Sequence, residues 1–289
     1  MIHQTFTCTG NQIDHDVADA CAALQLSRIQ VETESAPMSQ AAIYMCHHHH
    51  RTLCYVPFNN IVEASTWSAI AKPPQGNIGF HISASAYTTL EDLLTVPEPN
   101  WNQGFSQAVL ESITRLKTEG EFLSLHVLGP FTVLTMLVDL STCFKTWRTN
   151  PQLFWQVLSR LGQSIQHYSA QAAQAGADII SCADPLNAIS ILGPKRFRTL
   201  AETHTLPFLK DLLSVVHQHS IVHLCGHLSR DLETVSLGYA TPLQTPASTY
   251  DKALYYLYQH TSPPYPLLGN QCIHACPLHQ KPLVYAFHI

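Results

Sequence analysis

The apolar residues between positions 151 and 175 recur with the spacing of one face of an α-helix. They are Phe154, Val157, Leu158, Leu161, Ile165 and Tyr168. Asn150 suits the cap position before such a helix, Pro151 suits its first turn, and Gly176 suits the left-handed position after its end. The pattern therefore predicts one long helix from about Pro151 to Ala175.

Short apolar runs of strand length alternate with further helical stretches along the chain. The clearest runs are residues 121–128, 177–184 and 220–225, with weaker candidates at 53–56, 78–82 and 282–287. This alternation is typical of a parallel sheet with crossover helices. We therefore predict an α/β fold, a (β/α)8 TIM barrel in complete or abbreviated form. An open doubly wound sheet is the alternative, but the chain has no GxGxxG or GxxxxGK(S/T) loop to hold a dinucleotide or a triphosphate.

Length and charge limit the classes of protein that remain. We expect the 289 residues to form a single domain, with residues 1–50 as a variable N-terminal region. The net charge of −5 argues against a nucleic-acid partner, because phosphate backbones are bound by basic surfaces. The start of the chain lacks the features of a signal peptide, and no apolar run approaches the ~18 residues of a membrane span. We therefore expect a soluble, cytoplasmic protein without a membrane partner.

The contents of cysteine and histidine point to metal binding. The chain has nine cysteines and 18 histidines. A cytoplasmic protein keeps its thiols reduced, so they are available as metal ligands. His223 and Cys225 stand two residues apart in a predicted strand, so that both side chains project from the same face. A catalytic zinc site needs a third ligand, for which Cys272 and Cys276 are both candidates. The alternative is a core histidine beside a buried thiol.

Other polar residues are weaker candidates. The run from Cys46 to His50, together with Cys54, has metal-binding chemistry, although we interpret it as a solvated polar loop rather than a second metal site. Asp184 ends a strand and is expected either at the same rim as His223 or as a turn residue before Pro185. Glu63 is expected either in the pocket or on a helix surface. We interpret His126 as a core histidine.

Several short stretches, in a fixed order, carry a resemblance to a known family. They are Pro57-Phe58 with Glu63-Ala64, the segment LGPFT at 128–132, AGAD at 175–178 with Asp184-Pro185, LGP at 192–194 with Phe197, and VHLCG at 222–226. With these stretches the chain resembles the uroporphyrinogen decarboxylase superfamily, and within it the branch of zinc-dependent corrinoid methyltransferases typified by methylcobamide:coenzyme M methyltransferase.

The resemblance implies a metal site and a reaction. Mapped onto this chain, the zinc (Zn²⁺) ligands of that branch are His223, Cys225 and Cys272, with Cys276 as the alternative third ligand. A zinc-activated thiol such as coenzyme M would take the methyl group of methylcobalamin or another methylated corrinoid, presented by a corrinoid carrier protein. Asp184 and Glu63 are the expected substrate-facing residues. A homo-oligomeric assembly is left open.

Three alternatives to this function remain. One is a corrinoid methyltransferase with a tetrahydrofolate-type acceptor, and another is a uroporphyrinogen decarboxylase-like enzyme without metal. The decarboxylase alternative is disfavoured because a polycarboxylate substrate requires several cationic side chains, whereas the first hundred residues contain only Arg28, Arg51 and Lys72. The third is a non-catalytic corrinoid-binding or metal-binding accessory protein.

Overall fold

The computed structural model describes residues 13–76, 78–216, 218–274 and 284–289 of the chain. The helices are α1 (Ile13–Leu24), α2 (Arg28–Thr33), α3 (Ser35–His48), α4 (Val62–Thr66), α5 (Asp92–Thr95), α6 (Gly104–Thr118), α7 (Pro130–Leu137), α8 (Leu140–Thr149), α9 (Pro151–Ala175), α10 (Ile189–Leu200), α11 (Leu206–Val216), α12 (Gly226–Thr234) and α13 (Tyr250–His260). The strands are β1 (Leu53–Val56), β2 (Ile70–Lys72), β3 (His81–Ala84), β4 (Phe122–Leu128), β5 (Ile179–Ala183), β6 (Ile221–Leu224), β7 (Tyr239–Leu243), β8 (Leu268–Gly269) and β9 (Val284–His288).

Seven of the described strands form one curved sheet in the order β1-β4-β5-β6-β8-β9-β7. The pairs from β1 to β8 are parallel, whereas β9 runs antiparallel to both of its neighbours. Helices cover the outer side of the parallel strands, as in a (β/α)8 barrel. The architecture is therefore an abbreviated barrel of the TIM type, and the predicted fold class is confirmed.

Helix α9 has the bounds that its sequence pattern predicts. The side chain of Asn150 accepts a hydrogen bond from the backbone N–H of Leu153 at 3.3 Å, which caps the first turn. Gly176 ends the helix with φ of 114°, a conformation that side chains disfavour. Both signals are local in sequence, and for that reason both helix ends could be predicted.

The strands separate an apolar outer layer from a mixed interior. Val127, Ile180 and Val222 face outward into the main hydrophobic core, against the surrounding helices. The alternate residues of the same strands, including His126 and His223, face the inside of the barrel. The interior is therefore the part of the molecule where polar side chains can meet.

Helix α13 packs against the amino end of the barrel. Its buried residues form a second hydrophobic cluster with the first residue of each neighbouring strand. The members from the strands are Leu53, Phe122, Ile179, Ile221, Leu268 and Val284, and those from the helix are Tyr250, Ala253, Leu254 and Leu257. This apolar layer closes the interior at one end, so that access is from the carboxyl ends of the strands.

Three strand assignments differ from the sequence expectation, and one of them is β2, which was not predicted. The candidate strand at 78–82 lies in part in β3, which pairs with β2 in a separate two-stranded sheet and does not belong to the barrel. Strand β7 was not predicted, because Pro242 and an exposed Tyr239 make it unlike a buried strand.

Among the described residues, no helix combines the length and the apolar character that crossing a membrane requires.

We predict that Leu254→Ala lowers the free energy of unfolding by about 2–5 kcal/mol, because it leaves a cavity in the apolar layer under the barrel. Chemical denaturation measures this change. Lys252→Ala, on the exposed side of the same helix, is the matched control and should change the free energy by less than about 0.5 kcal/mol. Equal effects of the two substitutions would contradict the assigned role of α13.

Candidate functional site

A cavity of about 800 Å³ opens at the carboxyl ends of the parallel strands. Functional sites of barrels of this type lie at this end, where the loops after the strands meet. The polar lining side chains that the sequence or the structure singles out are His126, Ser181, Asp184, His223, Cys225, Cys272 and His274. The cavity therefore brings together the predicted zinc ligands and one of the two predicted carboxylates.

His223 lies at the centre of the cavity wall. It is an inward residue of β6 with no exposed surface. Its Nδ1 is 3.1 Å from Oγ of Ser181 on the neighbouring strand β5, and its buried Nε2 has no hydrogen-bond partner among the residues that the structure describes. In the tautomer in which Nδ1 donates to Ser181, Nε2 presents a lone pair to the cavity.

Cys225 and Cys272 reach the same cavity from two chain segments. Cys225 directly follows β6 and is the cap residue of α12. Cys272 is buried three residues after the end of β8. The backbone N–H of Gly226 donates to the carbonyl of Gln271 at 2.9 Å, and this bond holds the two segments together. Cys276, the alternative third ligand, lies outside the described residues.

The three predicted ligands share a cavity without forming a closed set. In the described part of the chain, the one group of three Cys, His, Asp or Glu side chains whose ligand atoms all lie within 4.8 Å of one another consists of Cys46, Cys54 and Glu121. That group lies outside the cavity. Binding of an ion by His223, Cys225 and Cys272 would therefore require these side chains to move closer together.

Among the described residues, four histidines besides His223 line the cavity, although the sequence did not assign them to it: His81, His126, His227 and His274. His126 lies on β4, in register with Ser181, and is a cavity residue as well as a buried one. His274 follows Cys272 by two residues, and its ring centroid is 6.0 Å from that of His126. The sequence did contain a signal for His126. Residues two apart in a strand lie on the same face, so His126 lies on the face of Ser124 and Leu128. His274 has no comparable signal in the sequence.

Burial keeps these imidazoles neutral at pH 7. It lowers the pKa of His223 to about 3 and that of His274 to about 3, with a smaller contribution from the neighbouring His126 in both cases. Burial also lowers the pKa of His126 to about 4. A neutral imidazole is the form that binds a metal ion. The lining among the described residues contains no Lys or Arg, so the cavity favours metal and thiol chemistry over recognition of a polyanion.

Asp184 lies at the cavity wall, but its carboxylate faces the loop after β4. One oxygen accepts hydrogen bonds from the backbone N–H of Thr132 at 2.7 Å and from its hydroxyl at 2.6 Å. A Cβ at position 129 would lie 2.5 Å from the side chain of Asp184, which explains Gly129 at this point. Burial raises the pKa of Asp184, and the bonds from Thr132 oppose that rise. The residue thus positions the first turn of α7 beside the cavity.

Glu63 lies outside the cavity lining and is not on a helix surface. Its side chain is buried at the start of α4, and one oxygen accepts a hydrogen bond from the backbone N–H of Leu128 at 2.9 Å. Burial raises the pKa of Glu63 to about 7. The contact fixes the end of β4, so Glu63 supports the cavity wall from behind.

The histidine run is only partly a loop. His47 and His48 form the last turn of α3, and His49 and His50 follow it. His47 and His48 therefore take their orientation from a helix, contrary to the interpretation as a solvated loop. Cys46, at the start of the run, is a buried residue of the same helix.

Comparisons with known proteins agree with this architecture. A family model described as uroporphyrinogen decarboxylase (URO-D) matches residues 36–248. Two curated proteins named methylcobamide:CoM methyltransferase MtaA, from Methanosarcina barkeri and from its strain Fusaro / DSM 804, are each 25% identical over 158 residues. The matched residues are 54% of this chain and 45% of each relative, so the chain spans about half the length of the curated relatives it matches.

The fold also resembles a solved structure. A methyltransferase from Methanosarcina mazei superposes with a TM-score of 0.66, at 18% sequence identity. The match covers 82% of this chain and 69% of that chain. Since the identity is low, this likeness concerns the fold.

We predict that Glu63→Gln becomes more stable relative to the wild type as pH rises from 4.5 to 7. In that window the folded wild type retains a proton on Glu63 that the unfolded chain has lost, so its stability falls with rising pH. The glutamine cannot titrate and still accepts the bond from Leu128. The difference in free energy of unfolding should change by up to roughly 3 kcal/mol and level off above pH 7.

Denaturant unfolding at a series of pH values measures this difference. Glu119→Gln, which replaces an exposed carboxylate, is the matched control. A difference between Glu63→Gln and wild type that stays constant from pH 4.5 to 7 would show that Glu63 is ionised in the folded protein.

Proposed function

The chain belongs to the uroporphyrinogen decarboxylase family, and from this premise we propose that it is a methyltransferase that moves a methyl group from a corrinoid to a zinc-activated thiol. The observation that carries the proposal is the unpartnered Nε2 of His223, buried in a cavity that two cysteines also line. Coenzyme M is the thiol that the names of the curated relatives suggest.

The residues present fit a zinc ion. One imidazole nitrogen and two thiols are ligand types that zinc prefers, and three protein ligands leave a fourth position for substrate. Ser181 holds the other ring nitrogen of His223, which is the outer-sphere support that metal-bound histidines usually have. We therefore assign His223, Cys225 and Cys272 as the ligands.

Each group in the cavity has a part in the proposed reaction. Zinc, when bound, would supply the acidity that makes a coordinated thiol a thiolate at neutral pH. His223, Cys225 and Cys272 hold the ion, and Ser181 fixes the orientation of the imidazole. Apolar side chains such as Ile61, Leu128 and Ile273 also line the cavity and would contact the bound thiol. In the transfer a sulfur–carbon bond forms and the carbon–cobalt bond breaks, with its electron pair left on cobalt.

The size of the cavity suits a small thiol beside the reacting face of a corrinoid. A volume of about 800 Å³ is in the range that encloses one small-molecule ligand. A corrinoid held by a separate carrier protein would meet this cavity at its open rim. Asp184 contributes by fixing the first turn of α7, and Glu63 by fixing the end of β4, so both act as positioning residues.

The alternatives differ in what they require of the cavity. A decarboxylase of polycarboxylate substrates requires cationic side chains, which the described lining does not supply. A tetrahydrofolate-type acceptor needs no zinc-bound thiol. A non-catalytic accessory protein would bind metal or corrinoid without transfer.

Incubation of the protein with methylcobalamin and a panel of thiols that includes coenzyme M tests the proposal. We expect loss of methylcobalamin and formation of a thioether with at least one thiol. Methyl transfer to a tetrahydrofolate instead of any thiol would support the first alternative. Binding of methylcobalamin without transfer to any acceptor would support an accessory protein and contradict the proposal.

We predict that Cys225→Ser and Cys272→Ala each remove one equivalent of zinc and reduce methyl transfer by more than about 100-fold, since a lost ligand costs more than a lost outer-sphere partner. Metal analysis and the transfer assay measure the two effects. Cys21→Ser, on α1, is the control and should change neither. Retention of zinc by Cys272→Ala together with its loss in Cys276→Ala would reassign the third ligand.

We predict that Ser181→Ala weakens zinc binding at the cavity by about 10–100-fold, because the ring of His223 loses its hydrogen bond. Competition with a chromophoric chelator measures the affinity. Ser181→Thr keeps a hydroxyl at the position and should restore most of the affinity. Unchanged affinity in Ser181→Ala would exclude the assigned orientation of His223.

A further inference from the structure

A second group of metal-ligating side chains lies at the opposite end of the barrel. Cys46 is in the last turn of α3, Cys54 is on β1, and Glu121 directly precedes β4. The ligand atoms of these three residues all lie within 4.8 Å of one another. The group belongs to the outer side of the sheet, so it is separate from the cavity that His223 and Cys225 line.

Strand parity and strand order explain why the group forms. Leu53 and Tyr55 face the barrel interior, so Cys54 between them faces outward, toward α3. Strand β4 pairs with β1 in parallel, with Cys54 in register with Leu123, which places Glu121 beside the start of β1. Sγ of Cys54 is 3.5 Å from Oε2 of Glu121.

A fourth candidate ligand, a histidine, lies against the same carboxylate. Nε2 of His47 is 3.1 Å from Oε1 of Glu121. The side chain of His47 is 64% exposed and that of Glu121 is 16% exposed, whereas both cysteines are buried. The group thus has a buried thiol side and a side open to solvent, through which an ion could enter.

We propose that Cys46, Cys54, His47 and Glu121 form a second zinc site that is structural. Two thiolates, one imidazole and one carboxylate make a complete tetrahedral set, so no position is left for a substrate. In such a set a sulfur and an oxygen ligand lie about 3.5 Å apart, and a nitrogen and an oxygen about 3.3 Å apart. Sγ of Cys54 is 3.5 Å from Oε2 of Glu121, and Nε2 of His47 is 3.1 Å from Oε1. His47 is not in the group within 4.8 Å, so its imidazole would have to turn toward the two cysteines to bind a common ion.

The thiol of Cys54 keeps its proton while no metal is bound. The hydrogen bond with Cys46, together with burial and the charge of Glu121, raises the pKa of Cys54. Sγ of Cys46 donates to the carbonyl of Arg51 at 3.0 Å. Zinc would displace a proton from each thiol, so that its binding should release two protons and weaken as pH falls.

The position of the group indicates what the ion would do. It joins the end of α3 and the start of β1, which are close in sequence, to Glu121 before β4, which is 67 residues beyond Cys54. Residues at the amino end of such barrels contribute to stability rather than to catalysis. The second site should therefore stabilise the docking of α3 on the sheet without affecting the chemistry at the cavity.

Cobalt(II) bound to the Cys225→Ser protein tests the proposal apart from the cavity site. This variant should bind one cobalt(II), with the near-ultraviolet absorption of two thiolate ligands, whether or not the chain is a methyltransferase. Further substitution of Cys54→Ser should remove about half of that thiolate absorption or abolish binding. No thiolate-bound cobalt in folded Cys225→Ser protein would overturn the proposal.

The neighbouring histidines supply a matched pair of variants. His47→Ala should weaken zinc binding at the second site at least by the ~10–100-fold expected for an outer-sphere partner, whereas His48→Ala should leave it unchanged. Both positions belong to the same turn of α3, so a general loss of folding would affect them alike. Equal affinities in the two variants would remove His47 from the site.

Peptide mapping of metal-free protein under non-reducing conditions tests whether Cys46 and Cys54 form a disulfide instead of a metal site. We expect Cys46 and Cys54 as free thiols in protein purified with a reductant, and we expect bound zinc to protect both from alkylation. A Cys46–Cys54 disulfide in that protein, with no protection by zinc, would identify a redox pair and overturn the proposal.

Discussion

The parallel register of β4, β5 and β6 is the constraint on which the site depends. It sets His126 opposite Ser181 and Ser181 opposite His223, so that the three side chains form one row across the inside of the barrel. The row below contains Ile179 and Ile221, which belong to the apolar layer over α13. A shift of one residue in the pairing of a strand would turn that strand's polar side chain from the barrel interior to the outer hydrophobic core. The apolar layer and the hydrophobic helices outside the sheet therefore fix the position of the polar row.

Desolvation determines the state of the imidazoles in this row. The folded protein keeps His126, His223 and His274 neutral at pH values where the unfolded chain would protonate them. Because the unfolded state binds more protons below about pH 6.5, these residues reduce stability as the solution becomes acidic. A bound ion would offset part of this cost, since metal binding to the folded state adds to its stability. The same burial that lowers stability in acid thus prepares the lone pairs that a metal requires.

Features with local causes could be predicted from the sequence, and features with non-local causes could not. The bounds of α9 follow from Asn150 and Gly176, as the structure confirms. Strand parity predicts a shared face for His223 and Cys225, and both line the cavity, although Cys225 lies one residue beyond the end of β6. The place of His126 beside His223 depends on two intervening strand pairings, which no local pattern encodes. The prediction of a barrel strand at 78–82 is wrong for a related reason. The apolar residues suit a strand, but the strand that forms there, β3, pairs with β2 and not with the barrel.

The alternation of side chains along strands also separates the two groups of cysteines. Cys54 faces outward near the amino end of its strand, whereas Cys225 faces inward at the carboxyl end of another. In the proposed second site the outward group would supply four protein ligands, because the end of α3 and the residue before β4 lie beside it. The inward group borders a cavity instead. A molecule that enters the cavity, such as a substrate thiol, would therefore complete the coordination of an ion bound there. Under the two proposals, the same ligand chemistry serves a closed, stabilising site at one end of the barrel and an open, reactive site at the other.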